Sequence, residues 1–132
     1  MNNYLNVNKW RLRGKDAKRR RAKYKRQRIT RGFSDYDWWD LDTYLCNLLS
    51  VSLNHLADNT ISWSPGLAPT FEEYQERIRQ LAGRFDEMAE WEERHPVDSK
   101  EKDSYAKNNE QLHKFTKETF NELAEVFWSL WD

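Results

Sequence analysis

Apolar residues recur at three-and-four spacing over three stretches of the chain, and no stretch alternates apolar and polar residues as a half-buried strand would. The first stretch holds Trp38, Leu41, Leu45, Leu48 with Leu49, and Leu53 with Leu56. Gly32 precedes it, and Ser34 or Asp35 can accept hydrogen bonds from the first free amides, so a helix is predicted over about 35 to 58. The segment "DNTISWSPGLAPT" is rich in turn formers and reads as a linker. Thr70 and Glu73 then form a capping-box pair ahead of Phe71, Tyr74, Ile78, Leu81, Phe85 and Met88, which predict a second helix running to about Glu93 and stopped by Pro96. Asp98 and Glu101 offer another capping pair. Tyr105, Leu112, Phe115, Phe120, Leu123, Val126, Phe127 and Leu130 then predict a helix reaching nearly to the C-terminus, polar in its first turns. The expected fold is all-α: a small antiparallel three-helix bundle over residues 33–132, preceded by a basic N-terminal arm over residues 1–32.

Charge changes that picture more than composition does. The 132 residues have zero formal net charge, yet Lys9–Gly32 hold thirteen Lys or Arg against the single acid Asp16, a net of +12. From Phe33 onward nine basic residues face twenty-one acids, a net of −12, so the sign reverses at Gly32. The arm has no proline and no glycine between Lys15 and Arg31, which favours helix, while repulsion among its like charges opposes it. Free of partners it is expected to be mostly disordered, becoming helical or extended when a polyanion relieves the repulsion.

A basic run of this density neutralises phosphates and releases condensed counterions. The candidate nucleic-acid contacts are Lys15, Lys18, Arg19, Arg20, Arg21, Lys23, Lys25, Arg26, Arg28 and Arg31, with Trp10 and Tyr24 interleaved as rings on which bases could stack. The apolar face offered by Ala17, Ala22, Tyr24 and Ile29 is too small for a membrane-surface helix, and no run of about eighteen apolar residues exists. Cys46, the single cysteine, rules out an intramolecular disulfide and reads as a core residue; the polar start predicts a cytoplasmic protein.

Other chemistry finds little footing. Asp35, Asp37, Asp40 and Asp42 lack the spacing of a calcium loop and read as a charged helix start. His55, His95 and His113 lie on separate segments with no ligand spacing, so neither a metal nor a cofactor is expected. There is no glycine-rich phosphate loop and no serine elbow, and a non-enzymatic protein is expected. A second patch, Asp86, Glu87, Glu90, Glu92, Glu93, Asp98, Glu101 and Asp103, could imitate a phosphate backbone and occupy the basic channel of another protein; Glu90, Glu92 and Glu93 are its candidate contacts. The tryptophans near both ends of the acidic part, Trp38 with Trp39 and Trp128 with Trp131, suit core packing, and an exposed Trp39 or Trp131 would mark a partner surface.

The blocks "RGFSDYDWWDLDTYL", "TFEEYQERI" and "FWSLWD" resemble a family of small, mostly uncharacterised proteins of phages and prophages that share a GxSDxDxWxLDxYL start and a terminal LWD. Gly32, Ser34, Asp35, Asp37, Trp39, Leu41, Asp42, Leu130, Trp131 and Asp132 stand at the matching positions, and the resemblance spans Arg31 to Asp132. It implies a bacterial-virus setting, in the cytoplasm of the infected cell or in the virion, and no transferable activity. The expected function is that of an interaction protein that binds nucleic acid or a nucleoprotein assembly through the arm and docks a host or virion protein on its acidic bundle. The alternatives are an inhibitor of a host nucleic-acid enzyme, such as a defence enzyme, acting through the acidic face, and a minor virion component.

Overall fold

The computed structural model describes residues 4–131, and within them all the regular structure is helical, with no strand. Six α-helices occur: α1 (Ala17–Arg31), α2 (Asp35–Trp39), α3 (Leu41–Asn59), α4 (Phe71–Ala89), α5 (Trp91–Arg94) and α6 (Ser104–Val126). Single 3-10 turns lie at Val7–Lys9 and Phe127–Ser129. Packing groups the residues into two compact units, Met1–Leu48 and Leu49–Asp132. Charge thus reverses at Gly32, whereas packing joins the basic helix to the first acidic turns after it.

In the N-terminal unit the basic segment is an ordered helix, because its inner face has something to pack on. Val7, Trp10 and Tyr24 form a small core with Leu12 and Tyr36 against it. The Trp10 and Tyr36 rings stack at 4.3 Å, and the Trp10 indole N–H donates to the Tyr4 carbonyl at 2.6 Å. Gly32 ends α1 in the left-handed conformation, φ 87°, which a side chain would resist, and its N–H donates to the Arg28 carbonyl at 2.9 Å. The chain turns back there. Ser34 then caps α2 with a reciprocal capping box, its hydroxyl accepting from the Asp37 N–H while the Asp37 carboxylate accepts from the Ser34 N–H.

The first apolar stripe breaks at Asp40, whose φ of −138° and ψ of 58° separate α2 from α3. As a result α3 buries Tyr44, Asn47, Ser50, Leu53 and Ala57, while Leu41, Leu45 and Leu48 of the expected stripe are 42%, 45% and 39% exposed. Asn47 is accommodated by donating its amide to the Thr43 carbonyl one turn back at 2.8 Å.

The C-terminal unit is built on α4 and α6. Tyr74, Ile78, Leu81 and Phe85 of α4 are buried, as the spacing predicts, together with Ala82, and Leu123 and Val126 of α6 are buried in the same unit. Phe85 meets Phe120 edge to face at 5.4 Å, the arrangement the ring quadrupoles favour. Arg77 donates to Glu122 at 2.6 Å and to the Leu67 carbonyl at 2.7 Å, and Arg84 donates to the buried Thr119 hydroxyl at 2.9 Å. The second expected helix stops four residues early, at Ala89. The chain re-enters as α5 with Trp91 turned inward, stacked on His95 at 3.7 Å and donating to Asn108 at 2.9 Å.

Candidate nucleic-acid interface

The fold sorts the basic residues of α1 by helix face. Tyr24, Arg28, Arg21, Gln27 and Arg31 fall on the side turned toward the core and toward α2; Lys18, Arg19, Ala22, Lys25, Arg26 and Ile29 fall on the other, at the spacing of one exposed helical face. The helix has fifteen residues, which at 1.5 Å per residue gives about 22 Å of charged surface.

The inward arginines are occupied. Arg28 grips Asp37 with two hydrogen bonds, at 2.8 and 2.6 Å, donates a third to the Leu5 carbonyl at 2.6 Å, and lies over the Trp10 and Tyr44 rings at 4.8 and 5.2 Å. Arg31 pairs with Asp35 at 2.7 Å and lies over Phe33. Arg21 donates to the Trp10 carbonyl at 2.8 Å, and Arg20 to the Arg13 carbonyl. Lys23, at the edge, reaches Asp35 at 3.4 Å. Five of the candidate phosphate contacts therefore have structural bonds within this unit: Arg20, Arg21, Lys23, Arg28 and Arg31.

Trp10 and Tyr24 are corrected outright. They are 8% and 3% exposed, and the Trp10 ring is covered by Tyr36 and Arg28, so neither offers a face to a base. An aromatic interleaved with charges on an amphipathic helix signals an inner face as readily as a stacking platform, and here it is the inner face.

On the outer side, Lys18, Lys25 and Arg26 have no ion pair among the described residues, and Arg19 has only a loose one, to Asp16 at 3.5 Å with both side chains largely in solvent. Exposed Arg11, Arg13 and Lys15 continue the positive surface ahead of α1. Ile29, 84% exposed amid these charges, is an apolar position on the outer face.

Asp35 and Asp37, read from sequence as a charged helix start, are the counter-ions of the inner face. Gln27 and Arg31 hold the Asp35 carboxyl down to about 2. Burial opposes ionisation of Asp37, but the Arg28 guanidinium and the Ser34 donors outweigh it and keep its carboxyl below the usual range. A depressed carboxylate stabilises the fold fully above its unfolded value, about 3.9, and the contribution vanishes as pH falls through the folded value. Acidification below about pH 4 should therefore loosen the Trp10–Tyr36 packing while leaving neutral-pH behaviour flat, as read by near-ultraviolet circular dichroism. Burial pushes the Cys46 thiol up to about 11, which leaves it protonated and unreactive at neutral pH.

The acidic candidates are partly spoken for. Arg94 pairs with Asp86 at 2.6 Å and with Glu90 at 3.0 Å, and His95 meets Glu87 at 3.0 Å. Glu92 and Glu93 are exposed, with no ion pair among the described residues. Trp39 and Trp131 are 66% and 69% exposed. Among the described residues no three His, Cys, Asp or Glu side chains converge on a metal-sized site, and no helix is long and apolar enough to cross a membrane. No family model, no curated protein and no solved structure matches this chain.

Proposed function

We propose that the protein binds nucleic acid, or a nucleoprotein assembly, through the outer face of α1, and that the acidic C-terminal unit docks a host or virion protein. One observation supports this above the rest. In a chain with as many acids as bases, every inward arginine of α1 is bonded, while Lys18, Lys25 and Arg26 face solvent with no acid paired to them among the described residues. A row of uncompensated cations along about 22 Å of helix is a surface for a phosphate backbone. Backbone contacts of this kind position a duplex without reading its sequence, and the role is binding without catalysis. The descending order of contacts made by α4, Tyr74 with Ser129 of the turn after α6, then Arg77 with Glu122 and Arg84 with Thr119 of α6 itself, supports an antiparallel bundle as the docking scaffold. The motif resemblance gives the setting, a phage-infected bacterium.

The test is anisotropy of labelled duplex DNA and RNA across a salt series. Affinity should fall steeply with salt, with a log-log slope of about −0.9 per duplex phosphate neutralised. Changing Lys18, Arg19, Lys25 and Arg26 together to Gln should flatten that slope by up to about 3.6 and weaken all sequences alike. These residues bond to nothing in the core, so helicity should be unchanged. Salt-insensitive or absent binding to every nucleic acid would refute this reading. The inhibitor reading rests on the second acidic patch, where Glu92 and Glu93 are exposed with no ion pair among the described residues; it predicts that Glu92→Gln with Glu93→Gln weakens capture of a protein partner while the α1 variant does not.

A further inference from the structure

The C-terminal unit contains a groove of about 450 Å³ whose lips are tryptophan. Trp63, Pro65 and Leu67 come from the loop between α3 and α4; Trp128 and Trp131 come from the 3-10 turn after α6 and the residues beyond it; Glu125, one turn before Trp128, lies at its edge. Trp128 is 86% exposed, a costly placement for the largest apolar side chain, and folding of the unit does not use it. Among the described residues the three indoles make no ring contact with one another: Trp63 leans on Phe71 at 5.8 Å and Trp128 on Phe127 at 5.1 Å. The space between them is open.

Both lips are pinned from behind. The buried Tyr74 hydroxyl bonds the Ser129 carbonyl at 3.1 Å and the Ser129 hydroxyl at 2.9 Å, fixing the turn that presents Trp128. On the other side Arg77 holds the Leu67 carbonyl at 2.7 Å, the Leu67 N–H donates to the Ser64 carbonyl at 3.0 Å, and the Trp63 indole N–H points back to the Ala68 carbonyl at 3.4 Å. The site needs little ordering to receive a ligand, which lowers the cost of binding.

The charge at the groove selects what enters. Arg77, which holds the Leu67 carbonyl, is bonded to Glu122 through two nitrogens, at 2.6 and 3.3 Å, and Glu125, whose charge also favours the Arg77 cation, is exposed with no ion pair among the described residues. Residues 49–132 hold seventeen acids against nine bases, a net of −8, so the surrounding field concentrates cations and repels anions. Indole faces attract cations through the ring quadrupole, and arginine is the side chain most often found there. A volume of 450 Å³ exceeds one side chain and suits two or three residues of extended chain, with Pro65 and Leu67 as the apolar floor.

We infer that this groove is a docking site for an extended basic peptide segment of a partner protein, with an arginine or lysine side chain laid against the Trp128 and Trp63 indoles and paired with Glu125. The site is separate from the nucleic-acid face and stands or falls without it.

The experiment is a titration of the full chain, labelled at the indole nitrogens, with a blocked Gly-Arg-Gly-Arg-Gly peptide and with its citrulline counterpart, in which each guanidinium is replaced by a neutral group of the same shape. The arginine peptide should shift the Trp63, Trp128 and Trp131 indole signals saturably, leaving Trp10 and Trp91 still. The citrulline peptide should bind at least about fivefold more weakly. Glu125→Gln and Trp128→Ala should each weaken the arginine peptide by about two- to fivefold, since an exposed ion pair and an exposed cation–ring contact are each of order 0.5–1 kcal/mol. Both side chains are exposed, so thermal melting should not change. Glu92→Gln with Glu93→Gln controls for diffuse attraction to the acidic surface and should leave binding intact. Equal affinity for the two peptides would overturn the inference, as would a loss in the Glu92/Glu93 variant matching that in Glu125→Gln. Shifts of the same indoles by a neutral oligosaccharide but not by the arginine peptide would overturn it as well and make the groove a sugar site.

Discussion

Asp37→Asn should destabilise the N-terminal unit by about 3 kcal/mol or more, with nearly normal behaviour elsewhere. The carboxylate is fully buried, takes two hydrogen bonds from Arg28, and accepts from both the Ser34 N–H and the Ser34 hydroxyl. The substitution keeps the volume but leaves the Arg28 guanidinium, itself only 15% exposed, without its counter-charge. Removing one partner of a buried pair is the costly operation; removing both is much cheaper. Arg28→Met alone should therefore also destabilise strongly, whereas Arg28→Met with Asp37→Leu should recover a large part of the loss. Urea melts of the four proteins, followed by near-ultraviolet circular dichroism from the stacked Trp10 and Tyr36, give the coupling energy directly. A double variant as unstable as the sum of the singles would show that the pair is not what joins α1 to α2.

Phe85→Ala should cost the C-terminal unit about 3 to 5 kcal/mol. Phe85 has no exposed surface, lies on the same helix as the fully buried Ile78, and meets Phe120 edge to face, so truncation removes a ring from a packed interior and opens a cavity. Phe120 is half exposed, and turning inward would recover part of the loss, placing the value toward the lower end. Phe85→Leu, which keeps most of the volume, should cost well under half as much. Denaturation in urea, read by far-ultraviolet circular dichroism, checks both. A near-zero effect of the alanine substitution would contradict the placement of the α4 inner face.

The second helix was the most legible part of the sequence because its periodicity has no competitor: Tyr74, Ile78, Leu81 and Phe85 are apolar where the core needs them, and most positions between them are charged or Gln. The first helix was misread at its start because apolarity and burial part company there. Asn47 and Ser50 are buried through local geometry, while Leu41, Leu45 and Leu48 stay largely in solvent, and only the break at Asp40 rotates the helix to that setting. Helix lengths were overestimated where a break carries no proline or glycine, as at Asp40 and Glu90. At the candidate interface the basic character was plain from composition, but the division into bonded and free cations was not. That division depends on where Asp35 and Asp37 come to lie after the turn at Gly32, a three-dimensional fact with only a faint local signal: a glycine followed two residues later by a capping serine and two aspartates.

The return of the chain at Gly32 bears on how portable the basic helix is. A fragment ending at Arg31 would take the thirteen positive charges with it but leave behind Tyr36, Asp37 and Tyr44, the residues that cover Trp10 and neutralise Arg28. Grafted onto another protein, it would behave as a polycation with no fixed face, with Arg28 and Arg31 deprived of Asp37 and Asp35 and turned outward beside the others. The compact unit ending at Leu48 keeps those residues together. The acids downstream of the glycine thus act as an orientation device: they decide which of the helix's charges the outside world meets.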